Sequence, residues 1–232
     1  MHPPIQLVVF DMAGTTVRDD DAVNTCLRDA LAGAGVNARR EAVNEVMGLP
    51  KPLAIAALLK ASRPAQGADP ELVNRIHADF LGRMIRFYQT DPRVEEMPGT
   101  AAAFRHLKQA GIKVGLDTGF SRPIVNAILA RLGWSPGGLL DTTVASDEVP
   151  RGRPHPDLLF EAMRRTSITD VRAVAKVGDT PSDLQEGTAA GCALVVGVTN
   201  GTHTRAELEP HPHTHLIASL FELPALVRAD RN

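Results

Sequence analysis

The sequence predicts an α/β protein built on a parallel sheet, with a run of helices inserted after the first strand. Three observations predict it. Short β-branched runs alternate with helical stretches, the pattern of βαβ units. These runs are apolar almost throughout instead of alternating with polar residues, as strands buried on both faces of a parallel sheet are. One stretch, 18–97, breaks the alternation and carries helical periodicity alone.

Taken in order, Ile5 to Phe10 (IQLVVF) forms the first strand. The inserted stretch has helical spacing near 21–33, 38–46, 52–61 and 70–89, with a loop at Arg63 to Pro70 (RPAQGADP). Its hinges are the polar Thr15 to Asp21 and the segment Thr90 to Gly99 (TDPRVEEMPG), punctuated by Pro92, Pro98 and Gly99. Further strands follow at Ile112 to Asp117, Thr142 to Ala145, Arg172 to Gly178 and Ala193 to Val198. They alternate with helices near 99–110, 122–132, 155–166 and 181–190. The expected division is a core domain of residues 1–17 and 98–232 and a helical domain of residues 18–97.

With 232 residues, 44% of them apolar, the chain can bury one core with an insertion or two small ones. Twenty-five Lys and Arg against 27 Asp and Glu, scattered along the chain, provide no basic stripe. Nine aromatics offer few stacking platforms, so a nucleic-acid partner is not expected. Cys26 and Cys192 are far apart and form no CxxC, which points away from a disulfide framework or zinc ribbon. No apolar run approaches the roughly 20 residues that span a bilayer. The start Met1-His2-Pro3-Pro4 lacks the basic region of a signal peptide, so the expectation is a cytoplasmic protein without membrane partners.

Several strands end in turns that open a helix, where open α/β sheets bind ligands. Asp11 follows the first strand within DMAGTT, beside the free amides of a tight turn, a setting for a nucleophile or metal ligand. Thr118 and Gly119 follow the next strand and offer a hydroxyl and backbone N–H groups to phosphate oxygens. In Gly178-Asp179-Thr180-Pro181-Ser182-Asp183, two carboxylates four residues apart at a helix opening suit one hard cation such as Mg²⁺. Between these lies Arg151-Gly152-Arg153-Pro154-His155-Pro156, whose cation can pair with the nucleophile and a phosphoryl group.

In this order the four signals resemble the motifs of the haloacid dehalogenase (HAD) superfamily of aspartate-nucleophile hydrolases, matched by Asp11, Thr118, Arg153, and Asp179 with Asp183. The resemblance covers essentially the whole chain. It implies a HAD-like Rossmannoid core with an all-helical cap inserted between the first and second motifs. It also implies an aspartyl-phosphate on Asp11, and Mg²⁺ held by Asp11, the carbonyl oxygen of Ala13 and Asp179, with Asp183 ligating or orienting nearby.

Phosphatases and mutases of the superfamily usually carry a second Asp two residues after the nucleophile, where this chain has Ala13. A methyl group cannot protonate a leaving alcohol or activate water. Asp-x-Ala-Gly-Thr, and an Arg in the third motif, instead resemble the phosphonoacetaldehyde hydrolase (phosphonatase) branch. That branch cleaves a carbon to phosphorus bond after a cap lysine forms a Schiff base with the substrate aldehyde, so that the carbon departs as an enamine. Met47-Gly48-Leu49-Pro50-Lys51 resembles its Met-Gly-x-x-Lys motif, with Lys51 in the Schiff-base position and Met47 and Gly48 against the substrate. Pro52 disfavours helical geometry at Lys51 and places it at the amino end of the following helix. The helix dipole there, worth about 0.3 to 1 kcal/mol, lowers the amine pKa.

Three positions depart from the branch: Ala54 in place of a proton-carrying His, Phe120 in place of a Tyr, and Asp21 near the place of a Cys. The expected function is Mg²⁺-dependent cleavage of a small phosphonate. The alternatives are a phosphatase acting on a small phosphate monoester and a weakly active phosphate-binding module. The branch also implies a homodimer formed through the cap.

Other motifs have simpler readings. Gly33-Ala34-Gly35-Val36-Asn37-Ala38 has dinucleotide-fingerprint spacing but follows a helix, so its glycines end that helix. His211, His213 and His215 alternate with Pro210 and Pro212 in what reads as an exposed loop. Trp134 reads as structural, near the end of a helix.

Overall fold

A computed structural model describes residues 3–62, 68–135 and 137–229. Residues 63–67 of the expected loop and the Met1-His2 start lie outside these. Strand β1 (Leu7–Phe10) is followed by four helices, α1 (Ala22–Gly33), α2 (Arg40–Asn44), α3 (Lys51–Ser62) and α4 (Pro70–Thr90). The chain then alternates through α5 (Thr100–Gln109), β2 (Lys113–Thr118), α6 (Arg122–Leu132), β3 (Thr142–Ala145), α7 (Asp157–Thr166), β4 (Val174–Gly178) and α8 (Pro181–Ala190). It ends with β5 (Leu194–Val198), α9 (Arg205–Leu208), β6 (His215–Ile217) and α10 (Leu223–Ala229).

The six strands form one sheet in the order β3-β2-β1-β4-β5-β6, and every pairing is parallel. β1 lies between β2 and β4, so the winding of the chain reverses beside it and leaves a crevice at its carboxyl end. Every residue of β1 is buried, and its side chains divide by alternation. Val8 and Phe10 enter the larger apolar cluster, while Leu7 and Val9 enter the one beneath α7. This explains the continuous apolar run in the sequence.

The larger cluster also contains Leu27, Leu31, Ile55, Leu59, Phe80, Met84 and Tyr88, so apolar packing runs without a break from the inserted helices into the sheet. α4 lies along α1 and α3 and packs against α6. The two hinges run side by side. Val17 forms an antiparallel bridge with Glu96, Arg18 N donates to Glu95 O at 3.0 Å, and Met97 N donates to Thr16 O at 2.9 Å.

Two local expectations need correction. Helix α3 begins at Lys51 itself, with Pro52 in its second position, where a missing N–H leaves no intrahelical bond unmade. His215 starts strand β6, which pairs with β5 at the sheet edge. Three residues that open on a His carry too little periodicity to be read as a strand. Among the described residues no helix is long and apolar enough to cross a membrane.

Candidate active site

Asp11 extends β1 by one residue, its N–H bonded to Val177 O of β4 at 2.9 Å. The chain then turns sharply, with the N–H groups of Thr16 and Val17 both returning to Met12 O. The Asp11 carboxylate is left at the crevice and is only 6% exposed. Burial pushes its pKa up to about 7, against the pull of Arg153 and with further raising by Asp183 and Asp179.

Arg153 comes from the loop before α7 and is completely buried below Asp11. Its Nη1 lies 2.6 Å from Asp11 Oδ1 and 2.8 Å from Asp183 Oδ1. Nη2 bonds Asp117 through both the backbone and side-chain oxygens, and Nε donates to Glu186 at 3.0 Å. Lys176, in the middle of β4, is equally buried and contacts Asp117, Asp183 (3.2 Å) and Glu186 (2.9 Å). This ionic floor includes three groups that sequence reasoning missed: Asp117, Lys176 and Glu186. Asp117 and Lys176 are charged residues within otherwise mostly apolar strand runs, the one available signal. Glu186 lies one turn after Asp183 on α8, and only folding brings it to the arginine.

Thr180 and Asp183 form a capping box at the start of α8, with Thr180 N (3.1 Å) and Oγ1 (2.6 Å) donating to Asp183 Oδ2. The other Asp183 oxygen faces Arg153 and Lys176, which overcome the effect of burial and hold its pKa low. Asp179 faces elsewhere, accepting from Thr15 Oγ1 at 2.8 Å and Thr202 N at 2.6 Å. Burial first, then Asp183, pushes it up to about 6. Oxygens of Asp11, Asp117 and Asp183 lie within 4.8 Å of one another, so the structure groups Asp183 with these two rather than with Asp179. Arg153 and Lys176 thus face four buried carboxylates, those of Asp11, Asp117, Asp183 and Glu186, and among the described residues Asp179 is a fifth buried carboxylate without a cation of its own. The surplus negative charge falls on Asp11, Asp179 and Glu186, and of these Asp11 and Asp179 stand at strand ends as hard oxygen donors that fit a divalent cation.

Above this floor, Asp11, Ala13, Thr118 and Gly119 share a small cavity with Met47, Gly48 and Lys51 of the inserted segment. Thr118 Oγ1 accepts the Phe120 N–H at 3.2 Å. The segment reaches the core through two glycines. Gly48 has φ +81°, and a Cβ there would meet Thr180 Oγ1 at 2.5 Å. A Cβ on Gly119 would lie 2.6 Å from Leu49 O, so the end of β2 and the Met47–Lys51 turn touch backbone to backbone. This contact aims Lys51 inward.

Lys51 is 4% exposed, with Nζ 5.5 Å from the Phe120 ring centre and 6.0 Å from that of Phe80. Burial lowers its pKa to about 8, although Asp11 and Asp19 draw it upward. The principal cause is thus desolvation, with the Arg153 cation a smaller contributor. Asp19, Val23, Thr180 and Thr202 complete the lining and were not anticipated. Asp21 instead pairs with Arg40 of α2 at 3.0 Å and lines an adjoining cleft of about 360 Å³. Ala54 is buried within α3.

Residues 5–191 match the family model described as haloacid dehalogenase-like hydrolase. A phosphonoacetaldehyde hydrolase from Syntrophobacter fumaroxidans is 32% identical, over 90% of this chain and 79% of its own length. One from Bacteroides fragilis is 28% identical over 97% of this chain and 96% of its own length. A phosphonoacetaldehyde hydrolase-like protein from Oleispira antarctica superposes with a TM-score of 0.87 at 23% identity, covering 99% of this chain and 93% of that one. With its parallel sheet, the acid at the end of β1 and this breadth of similarity, the chain belongs to the haloacid dehalogenase-like hydrolases, in the branch that resembles phosphonoacetaldehyde hydrolase.

Proposed function

We propose that the protein cleaves the carbon to phosphorus bond of a small phosphonate aldehyde such as phosphonoacetaldehyde. The observation that carries this reading is Lys51: a buried amine with a pKa of about 8 shares one small cavity with Asp11. An amine near neutrality attacks an aldehyde carbonyl and, after loss of water, holds the substrate as an imine. Asp11 then attacks phosphorus, the carbon departs as an enamine on Lys51, and water hydrolyses the aspartyl-phosphate.

Arg153 holds Asp11 in line through its 2.6 Å contact and spreads the charge of the attack into the floor. The Thr118 hydroxyl and the amide at Gly119 receive phosphoryl oxygens. Met47 and Gly48 close the cavity and keep water from the imine. Mg²⁺ would be held by Asp11, the Ala13 carbonyl and Asp179, with Asp183 orienting the floor through its capping box. When bound, such an ion supplies positive charge against which phosphoryl oxygens are stabilised. The reading treats residues 18–97 as a cap over a core of 1–17 and 98–232.

The test is Mg²⁺-dependent phosphate release from phosphonoacetaldehyde, comparing the unsubstituted protein with Lys51→Arg. Activity that Lys51→Arg abolishes supports imine catalysis. No release from either protein sinks the reading and points to phosphate esters. A monoester phosphatase would need a leaving-group acid where Ala13 stands.

A further inference from the structure

Resting on the reading of Lys51 as the imine-forming residue, we propose that Asp19 is the catalytic acid that returns a proton to the departing carbon. Cleavage leaves an electron pair on carbon that must be protonated before the product can leave. Ala54 and Phe120 carry no titratable group. Of the described side chains lining the cavity only Asp11, Asp19 and Lys51 are acids or bases that can carry such a transfer. Asp11 is committed to phosphorus and Lys51 to the aldehyde carbon, which leaves Asp19.

Its placement is built in. Asp20 (φ 43°) and Asp21 (φ 66°) are consecutive left-handed residues, a conformation Asp tolerates better than most. They turn the chain so that Asp19 O accepts the Ala22 N–H at 2.8 Å and Asp19 Oδ1 accepts the Val23 N–H at 2.9 Å. The carboxyl is therefore held by one backbone donor, the Val23 N–H, and among the described residues no Lys or Arg forms an ion pair with it. Asp19 also lines the adjoining 360 Å³ cleft, which gives it a path to exchange protons with solvent.

Tyr88, from α4, is fully buried, its ring edge-on to Phe120 at 6.1 Å. Its hydroxyl has no hydrogen-bond partner among the described residues. Burial, followed by the carboxylates of Asp19 and Asp11, holds that hydroxyl firmly protonated. Burial also pushes Asp19 up to about 6. Val23 N–H and Lys51 oppose the rise, Asp21 and Asp20 add to it, and Cys26 of α1 and Tyr88 of α4 face it uncharged.

The step balances. With the imine nitrogen protonated from solvent, the new bond joins Asp11 oxygen to phosphorus while the carbon to phosphorus bond breaks, and its electron pair moves toward the iminium nitrogen to leave a neutral enamine on Lys51. The Asp19 proton goes to the terminal carbon and gives an iminium ion. Asp19 carboxylate then takes a proton from the water that adds to that iminium, acetaldehyde leaves, and the Lys51 amine is restored.

The experiment treats the full-length protein with phosphonoacetaldehyde and borohydride, which reduces an imine to a stable adduct seen by mass, and measures phosphate release in parallel. Asp19→Asn keeps the oxygen that caps α1. Its expected behaviour is an adduct equal to that of the unsubstituted protein, with phosphate release slower by about 100-fold or more, restored in part by added formate. The limb of the pH profile near 6 is expected to vanish with it. Adduct in both proteins with unchanged release overturns this inference alone. Loss of the adduct in Asp19→Asn also overturns it, since the residue would then shape the site instead of moving the proton. No adduct in the unsubstituted protein overturns the Lys51 reading and this inference with it.

Discussion

The floor and the roof of the cavity each contain a buried lysine, and burial leads them to opposite states. Under the site, desolvation and Arg153 push the Lys176 ammonium toward neutrality, but Asp117, Glu186 and Asp183 more than offset them and it stays charged. Above the site, Lys51 has the rings of Phe80 and Phe120 nearby and only the more distant pull of Asp11 and Asp19, so desolvation wins and its pKa falls to about 8. Two residues of one type thus become a structural cation and a candidate nucleophile. The difference lies in the neighbours, and burial merely amplifies what those neighbours supply.

This contrast is broken most severely from below. Lys176→Met leaves Asp117 and Glu186 short of a cation in a dry interior, and the expected loss is about 3–5 kcal/mol, read from denaturant unfolding. Glu186, already pushed up to about 8 by burial, would retain its proton more firmly and soften the loss toward the lower figure.

From above, the same substitution has the opposite sign. Lys51→Met is expected to abolish borohydride trapping and yet stabilise the fold by about 3 kcal/mol at pH 7, because a buried amine is removed. Below pH 8 the amine is charged in folded and unfolded chains alike, and the fold bears the whole penalty. Between 8 and 10.5 the unfolded chain keeps the proton that the folded chain has released, so stability of the unsubstituted protein rises with pH. Above 10.5 the penalty is gone, and the advantage of Lys51→Met should shrink across that window. An advantage independent of pH would place the amine in a wetter site.

A finer test separates the two layers. Gly119→Ala forces a methyl group against Leu49 O and should lift the Met47–Lys51 turn from β2, lowering turnover by about 100-fold through misplacement of the amine. The floor should hold, with little change in unfolding midpoint. The smallest effect is expected from Thr180→Ala, which removes one side of the α8 capping box and costs about 1 kcal/mol in the midpoint.

The contrast also shows which features could be read along the chain. Asp11, Thr118, Arg153, Asp179 and the Met47-to-Lys51 turn were legible because each depends on local order: a strand, its end, and a turn of defined residues. Helices α6 and α8 fall where the repeat of apolar residues placed them. Strand β6 was hidden because its three residues gain strand character only by pairing with β5. Asp19 was hidden among three consecutive aspartates that read as one polar hinge. What distinguishes it from Asp20 and Asp21 is a left-handed turn followed by the approach of α3 and α4.

By itself, the sequence determined the alternation of the first five strands with helices, the parallel sheet and the residues at the ends of those strands, since these follow from periodicity and turn chemistry within a few residues. Only the tertiary structure decided that Lys51 faces inward at reduced pKa, that Lys176 stays charged and that Asp183 caps α8 beside Arg153. Those outcomes depend on which groups from distant parts of the chain share a water-poor space. There, the energy of a charge is set by its neighbours in three dimensions.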